Sequence, residues 1–303
     1  MKKIKKSNTH RMSQVYYWGM LTPGLILVLI FEYIPIFGII MAFQDYVPAK
    51  GWFGSEWVGL KHFRSMLSIP DCWEIFRNTL VISFGKMIGR MILAIAFAIL
   101  LNEIRIKSVK KITQTVVYLP HFLSWVVLAT VVKNMLDADG VINTLLSGMG
   151  LNTLNFLSSN SLFQGTLIGT DLWKEFGYAS IIYLAAITSV DPGLHEAAAI
   201  DGAGWWRRVW HVTLPGMLPI VMVVAAMNIS SILSAGFNQV YNLYSPLVYE
   251  SGDIIDTYVY RVGLIGRKYS FGSAVGLLKS VVGLMLMLSM NEFAKKFVNR
   301  RIF

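Results

Sequence analysis

Glu196-Ala-Ala-Ala-Ile-Asp-Gly-Ala-Gly-Trp-Trp-Arg-Arg-Val-Trp-His-Val-Thr-Leu-Pro215 is a helix-prone island between two long apolar segments, and the remainder of the chain reads as its mounting. Asp191-Pro192 ahead of it supplies an N-cap and a first-turn proline, which predicts a helix from about residue 192. Gly202 and Gly204 are expected to end that helix. Ala197, Ala198 and Ala199 then present a small-residue surface that a partner's groove can approach closely, with Glu196 and Asp201 as fixed charges. A second short helix is expected next. At 100° per residue Trp205, Trp206, Val209, Trp210 and Val212 fall on one arc and Arg207, Arg208 and His211 on the other, so it should lie along a membrane or protein surface. Leu214-Pro215 is expected to stop it, and Pro219 falls in the first turn of the next apolar segment.

The chain around this island is too apolar for a soluble domain. Of its 303 residues 55% are hydrophobic and the mean hydropathy is +0.55, against about 45–50% apolar in soluble domains. The net charge of +10 is compatible with nucleic acid in the abstract, but membrane proteins gather Lys and Arg on cytoplasmic loops, so position decides. Cys72 is the single cysteine, which excludes an internal disulfide framework and a thiolate cluster.

Apolar segments run at about 16–43, 79–101, 114–133, 167–190, 216–237 and 272–290, each able to supply the roughly 20 residues that cross ~30 Å of hydrocarbon. Backbone groups in lipid must be satisfied internally, so the segments are helices. The expectation is one transmembrane domain over residues 1–303, all-α, with six spans and a loop at 191–215. The first segment is too long for a signal-peptide core, Pro35 suggests that its helix bends or ends near Tyr33, and Glu32 reads as a solvated end-of-helix carboxylate. Gly165, Gly169, Gly276 and Gly283 are the expected close-packing positions. Five Lys or Arg before residue 16, four in 102–113, two in 191–215 and four after residue 290 make fifteen on one side, against seven in 44–77, 134–166 and 238–271. Both termini and the Glu196 loop are therefore placed in the cytoplasm. Trp52, Trp57, Trp73, Tyr241, Tyr244, Tyr249, Tyr258 and Tyr260 read as interfacial anchors, or as rings that meet a sugar or a binding protein.

Chemistry of its own is not written into the chain. Gly272 to Ser280 imitates a phosphate-binding loop with the wrong spacing and inside an apolar segment. His10, His62, His121, His195 and His211 are scattered, with no metal-ligand spacing. A secondary transporter driven by an ion gradient predicts internal repeats and discontinuous helices in matching positions of two halves, and neither is visible. A membrane-embedded enzyme predicts clustered acids, histidines or ligands at membrane depth, whereas Lys86 and Arg90 are both basic.

Glu196-Ala197-Ala198, then Asp201-Gly202-Ala203, then Val212-x-Leu214-Pro215 resembles the coupling loop of permease subunits in binding-protein-dependent ABC importers, with Val212 where the family often has Ile. Trp57-Val58-Gly59-Leu60-Lys61-His62-Phe63, Asn78-Thr79-Leu80, Tyr118-Leu119-Pro120-His121-Phe122 and Asp256-Thr257-Tyr258-Val259-Tyr260-Arg261 are similar to other stretches of the maltose-type family, polysaccharide or oligosaccharide subgroup. The resemblance covers nearly the whole chain. It implies a type I importer permease in a bacterial cell membrane that moves oligosaccharides, with a second homologous permease, two ATPase subunits and an extracytoplasmic solute-binding protein as partners. It implies no catalysis and no cofactor here, ATP-Mg being used by the ATPases. Glu196, Ala197, Ala198, Asp201, Gly202, Ala203, Leu214 and Pro215 become the ATPase-coupling residues. An ion-coupled carrier is the alternative.

For the substrate path, stepping 100° per residue along the fifth span places Asn228, Ser231 and Asn238 within about 80° of one another. Such a stripe faces protein or a wet cavity, and interhelical hydrogen bonding competes with sugar binding as its use. In the related permeases the neighbouring span helps to line the sugar site, which makes Trp173 and Tyr178 the stacking partners. Lys86 and Arg90 would each cost roughly 2.5–3.5 kcal/mol facing lipid, so both should point inward, the amides of the path holding hydroxyls and these cations a uronate carboxylate.

Overall fold

The computed structural model describes residues 6–298. They form two compact units, residues 6–68 with 262–277 and residues 69–261 with 278–298. The first unit begins with α1 (Lys6–Val28), which continues through Leu29–Tyr33, Ile34–Ile36 and Phe37–Phe43 as one helical path. A two-stranded antiparallel ribbon follows, β1 (Gln44–Asp45) and β2 (Glu56–Trp57), with Gln44 opposite Trp57. Phe43 stacks on Trp57 with centroids 5.9 Å apart, and Lys61 Nζ meets Asp45 at 2.6 Å.

The second unit is built on α2 (Cys72–Glu103) and α5 (Asn160–Thr188). Between them lie α3 (Lys107–Tyr118) and α4 (Trp125–Leu136). After α5 come α6 (Pro192–Ile200), α7 (Leu214–Ser230) and α8 (Phe237–Leu243); α9 (Tyr269–Val298) closes the described chain. Lipid tails are as apolar as leucine, so helices here associate through close packing rather than escape from water. The close approaches are at Gly85 and Gly89 of α2, which lie under Ile168 and Leu172 of α5, and at Gly177, where a Cβ would stand 2.5 Å from the Val117 carbonyl oxygen of α3. A Cβ at Gly165, Gly169 or Gly276 meets no heavy atom within 4 Å, which corrects the expectation that those glycines make the contacts. Glycine spacing shows that an approach is possible; the facing bulk of Ile168, Leu172 and Val117 decides where it happens.

Among the described residues four helical runs are long and apolar enough to cross a membrane: Ser13–Phe43, Cys72–Glu103, Trp205–Ile229 and Tyr269–Ser289. A fifth is the pair Lys107–Phe122 and Trp125–Gly148, bent by 102°. The bend falls where Pro120 closes a 3-10 turn and Ser124 caps α4 by accepting from the Val127 N–H, so 114–133 is not one straight helix. α5 is long enough but carries Asp171, Lys174 and Glu175 inside its apolar length.

Pro215 does not stop its helix as expected, and at Pro35, where a bend or an end is expected, the helical run continues. At Pro35 and at Pro215 the preceding turn, Leu29–Tyr33 and Val209–Thr213 respectively, is a π turn, in which the Ile34 N–H donates to Leu29 and the Leu214 N–H to Val209. Widening the ladder before each ring relieves its clash with the turn below, so the helix from Trp205 runs on to Ile229. The second short helix is thus the first turns of the fifth apolar run. Trp205 and Val209 pack inward on Ala98, Tyr183 and Met217, whereas Trp206 and Trp210 are exposed.

The fifth run is itself discontinuous. Asn228, Ser231 and Ser234 lie where the helix ends: Ser231 Oγ donates to the Asn228 carbonyl at 3.0 Å, and Gly236 enters the left-handed region at φ 92° before α8 begins. Short polar side chains competing for backbone partners, followed by glycine, unwind the chain. The stripe expected on one helix from Asn228 to Asn238 therefore does not exist, and one discontinuous helix does.

Candidate functional site: a polar cavity and a helical loop

The unwound segment 231–236 needs partners for its released backbone, since irregular backbone at membrane depth survives only when buried in protein or lining a cavity. Lys86 supplies one. From 5% exposure its Nζ donates to the Ala235 carbonyl at 2.6 Å and to Gln239 Oε1. Gln239 is held in turn by donating to the Leu167 carbonyl at 2.7 Å and to Thr170 Oγ1 at 2.8 Å on α5. One turn along α2, Arg90 Nη2 meets Asp171 Oδ2 of α5 at 2.6 Å.

These groups bound a cavity of about 100 Å³ lined on one side by Ser83, Lys86, Met87, Arg90 and Asp171, and on the other by Asn228, Ser231, Ser234 and Gly236. A second cavity of about 370 Å³ shares Ser231 and Ser234 with it and continues along Lys279, Ser280 and Gly283 of α9. Of the residues the sequence suggested for a substrate path, Lys86, Arg90, Asn228 and Ser231 come together here. Trp173, Tyr178 and Asn238 are exposed and do not line it. Tyr178 instead stacks on His121, centroids 3.8 Å apart and nearly parallel. His121 Nδ1 lies 2.7 Å from Glu175 Oε2, and Lys174 Nζ donates to the His121 carbonyl at 2.8 Å. That cluster ties the bend before α4 to α5.

Sequence reasoning missed Asp171, Gln239 and Ser83. Asp171 was legible as a carboxylate at membrane depth; Gln239 and Ser83 had no signal without the break that brings α8 against α2. It also missed a second polar centre, at which two separate family-like stretches meet. Asn78 Nδ2 donates to the Glu250 carbonyl at 2.8 Å, and the Ile255 N–H donates to Thr79 Oγ1 at 3.0 Å. Beside them Asp253, 3% exposed, accepts from Arg261 Nη2 at 2.5 Å and from Thr257 Oγ1 at 2.7 Å. The Arg261 guanidinium lies 4.1 Å over the Tyr249 ring. Burial pushes the Asp253 carboxyl up from its ordinary value, against the downward pull of Thr257 and Arg261.

In the 191–215 segment Asp191 caps α6 by accepting from the Gly193 N–H at 2.8 Å. The helix ends at Ile200, and Gly202 turns the chain at φ 76°. The Ala203 N–H closes that turn on the Ala198 carbonyl at 2.9 Å, a C-terminal cap of the kind glycine favours. Glu196, Ala197, Asp201, Gly202 and Pro215 are exposed, and Ala198, Ala203 and Leu214 are half-buried. Ile200 is 87% exposed.

A chain of apolar helices that surrounds a polar cavity with a broken helix, and carries a short helical loop between two of its runs, is a multi-pass transport protein. This one belongs to the family described as binding-protein-dependent transport system inner membrane component, whose model matches residues 90–299. It is 43% identical over 291 residues, 96% of this chain and 91% of the relative, to the polygalacturonan/rhamnogalacturonan transport system permease protein YteP of Bacillus subtilis (strain 168). It is also similar to a chain in the crystal structure of a bacterial ABC transporter involved in the import of the acidic polysaccharide alginate. There the identity is 36%, the coverage 95% and 98%, and the TM-score 0.86. In the structure of a bacterial alginate ABC transporter in complex with an alginate pentasaccharide-bound periplasmic protein, the matching chain is 34% identical, with coverage of 98% and 100% and a TM-score of 0.87. The fold is therefore the all-α ABC importer permease fold that the sequence led one to expect.

Proposed function

We propose that this chain is one of two permease subunits of an ATP-driven importer that moves oligosaccharides, uronate-bearing ones among them, from an extracytoplasmic binding protein into the cytoplasm. The observation that carries this reading is the polar cavity between α2, α5 and the broken end of α7 in a chain of this family. The substrate class rests on the names of the similar proteins, which concern polygalacturonan, rhamnogalacturonan and alginate. Six crossings follow if the bent pair counts as one span and α5 as another, each charge of α5 having an opposite partner in Arg90 or its own neighbour. The Lys and Arg distribution puts both termini and α6 in the cytoplasm.

In this reading a second homologous permease completes the path and two ATPase subunits, using ATP-Mg, bind the coupling loops. Glu196 and Asp201 offer carboxylates to a basic cleft, and the exposed alanines let the cleft close on α6. Chemistry is left to the ATPases. One discontinuous helix occurs in ion-coupled carriers too, so the choice between the two energy sources rests on family membership rather than on helix continuity.

The test is reconstitution with both permeases, the ATPase pair and the binding protein in liposomes. ATP-dependent uptake of oligogalacturonate that requires the binding protein is expected. Uptake driven by an ion gradient without ATP would overturn the assignment. Orientation has its own measurement: Cys72, half-buried at the start of α2, should react with a membrane-impermeant maleimide added outside intact cells, and labelling confined to lysed cells would invert the topology.

A further inference from the structure

Of the two cations in the cavity, one is already spent. Lys86 is buried and its hydrogen bonds go to a backbone carbonyl and an amide oxygen, neutral groups that take two of its three N–H donors and place no carboxylate in contact with its charge. Arg90 is different. It gives Asp171 a single contact through Nη2 rather than a two-pronged one, its side chain remains 33% exposed, and its buried Nε has no hydrogen-bond partner. A guanidinium has five N–H donors in a planar fork and can serve two carboxylates on different edges. On the same wall of α2, two turns earlier, Ser83 is 6% exposed and its Oγ has no partner. The ionisable groups lining the cavity are Lys86, Arg90 and Asp171, which leaves one positive charge in excess. Buried charge of one sign without a counter-ion is costly, and so is a buried hydroxyl without a partner. One anionic ligand with oxygen acceptors satisfies both.

We propose that this cavity is a subsite for one uronate carboxylate, in which Arg90 receives the carboxylate on the edges that Asp171 leaves free and Ser83 completes the hydrogen bonding. The inference rests on the oligosaccharide-import reading and sharpens it. The volume of about 100 Å³ is the space of roughly three waters at about 30 Å³ each. That suits a carboxylate and part of its ring, with the rest of the saccharide in the adjoining cavity of about 370 Å³. Asp171 acts as a positioning residue: it holds the guanidinium plane against α5 so that the remaining donors face the cavity. Lys86 contributes its charge without contact.

The experiment compares trigalacturonate with its methyl ester, a neutral molecule of nearly the same shape, in the reconstituted importer. Removing Arg90 alone would strand Asp171, so the informative variant is the double substitution Arg90→Gln with Asp171→Asn, which removes the pair together. Each substrate's uptake by the variant is divided by its uptake by the unaltered protein, which cancels any preference of the binding protein. The expected result is a tenfold or greater loss for the acid with ester uptake within about twofold of the unaltered protein. Ser83→Ala should raise KM for the acid several-fold and for the ester less, since a carboxylate is the stronger acceptor. Equal loss of both substrates, or loss of neither, would assign Arg90 and Asp171 to helix packing and overturn the subsite. Failure of the unaltered importer to move either saccharide would refute the oligosaccharide reading itself, and the subsite with it.

Discussion

Lys86 Nζ lies 2.6 Å from the carbonyl oxygen of Ala235, so an ammonium in α2 holds a backbone group that the break after α7 released. Lys86→Met would leave that carbonyl and Gln239 Oε1 buried without a donor, at about 1–3 kcal/mol for each stranded acceptor. The expected outcome is a lower melting temperature of the purified protein and a fall in uptake of both saccharides, deeper for the acidic one because the cavity loses its excess positive charge. Unchanged melting with loss of the acidic substrate alone would mean that Lys86 reads the substrate instead.

Gly177 is where α3 and α5 touch. A Cβ there would press on the Val117 carbonyl oxygen at 2.5 Å and on Val117 Cγ1 at 2.6 Å. Backbone cannot yield as a side-chain tip can, so Gly177→Ala should cost about 1–3 kcal/mol by overpacking. Gly165→Ala, in open space on the same helix, should melt within a degree or two of the unaltered protein. Reversed effects in thermal unfolding would contradict this helix contact.

At Gly202 two effects can be separated. The residue sits at φ 76° with nothing within 4 Å of a Cβ position, so the cost to the isolated chain of a side chain there is conformational, roughly 1–2 kcal/mol. Asn and Asp tolerate the left-handed region better than Ala does. Gly202→Asn and Gly202→Asp should therefore melt alike. Gly202→Asp should nonetheless abolish ATP-driven uptake while the chain still reaches the membrane, because a side chain at this exposed turn stands where the ATPase cleft is proposed to close on α6. Normal uptake by Gly202→Asp would remove the loop from coupling.

The Asp253–Arg261 pair carries a pH signature. Burial raises the Asp253 carboxyl pKa, so the folded chain binds that proton more tightly than the unfolded one. Its contribution to stability is full below the unfolded pKa and is lost as pH rises through the folded value. Arg261→Gln removes a group that lowers this pKa and leaves a buried carboxylate unpaired, a loss of about 3–5 kcal/mol near neutrality. Melting measured from about pH 7 down to pH 5 should show the deficit of Arg261→Gln shrinking as the carboxyl is protonated. Adding Asp253→Asn should remove most of the deficit and its pH dependence, and a deficit independent of pH would place the defect elsewhere.

The sequence made α6 legible because its signals are local. Asp191, Pro192 and Gly202 act on their own backbone within a turn, and each does so where expected. Composition made the membrane setting legible, and the spacing from Glu196 to Pro215 made the family legible. The same local rules misjudged Pro215, since whether a proline ends a helix or is absorbed by a π turn depends on whether the helix beyond it is held by packing. They misjudged the stripe on the fifth run too, because Asn228, Ser231 and Asn238 share a face only if the helix is continuous. Ser231 was in view as a polar residue of that stripe, and Gly236, which completes the break, was not in view at all.

By itself, then, the sequence determined what each segment must be: an apolar run long enough for lipid, a capped helix between two such runs, a basic face for one side of the membrane. Those properties follow from side-chain chemistry and neighbours a few residues away. Only the tertiary structure decided which charges meet. Lys86 is 149 residues from Ala235 and Arg90 is 81 from Asp171, separations over which no periodicity runs. Two cations one turn apart looked equivalent in the sequence. Folding pairs one with neutral oxygens of an unwound segment and the other with a carboxylate across a glycine-lined helix contact, because at membrane depth every charge and every released carbonyl must find its partner inside the protein.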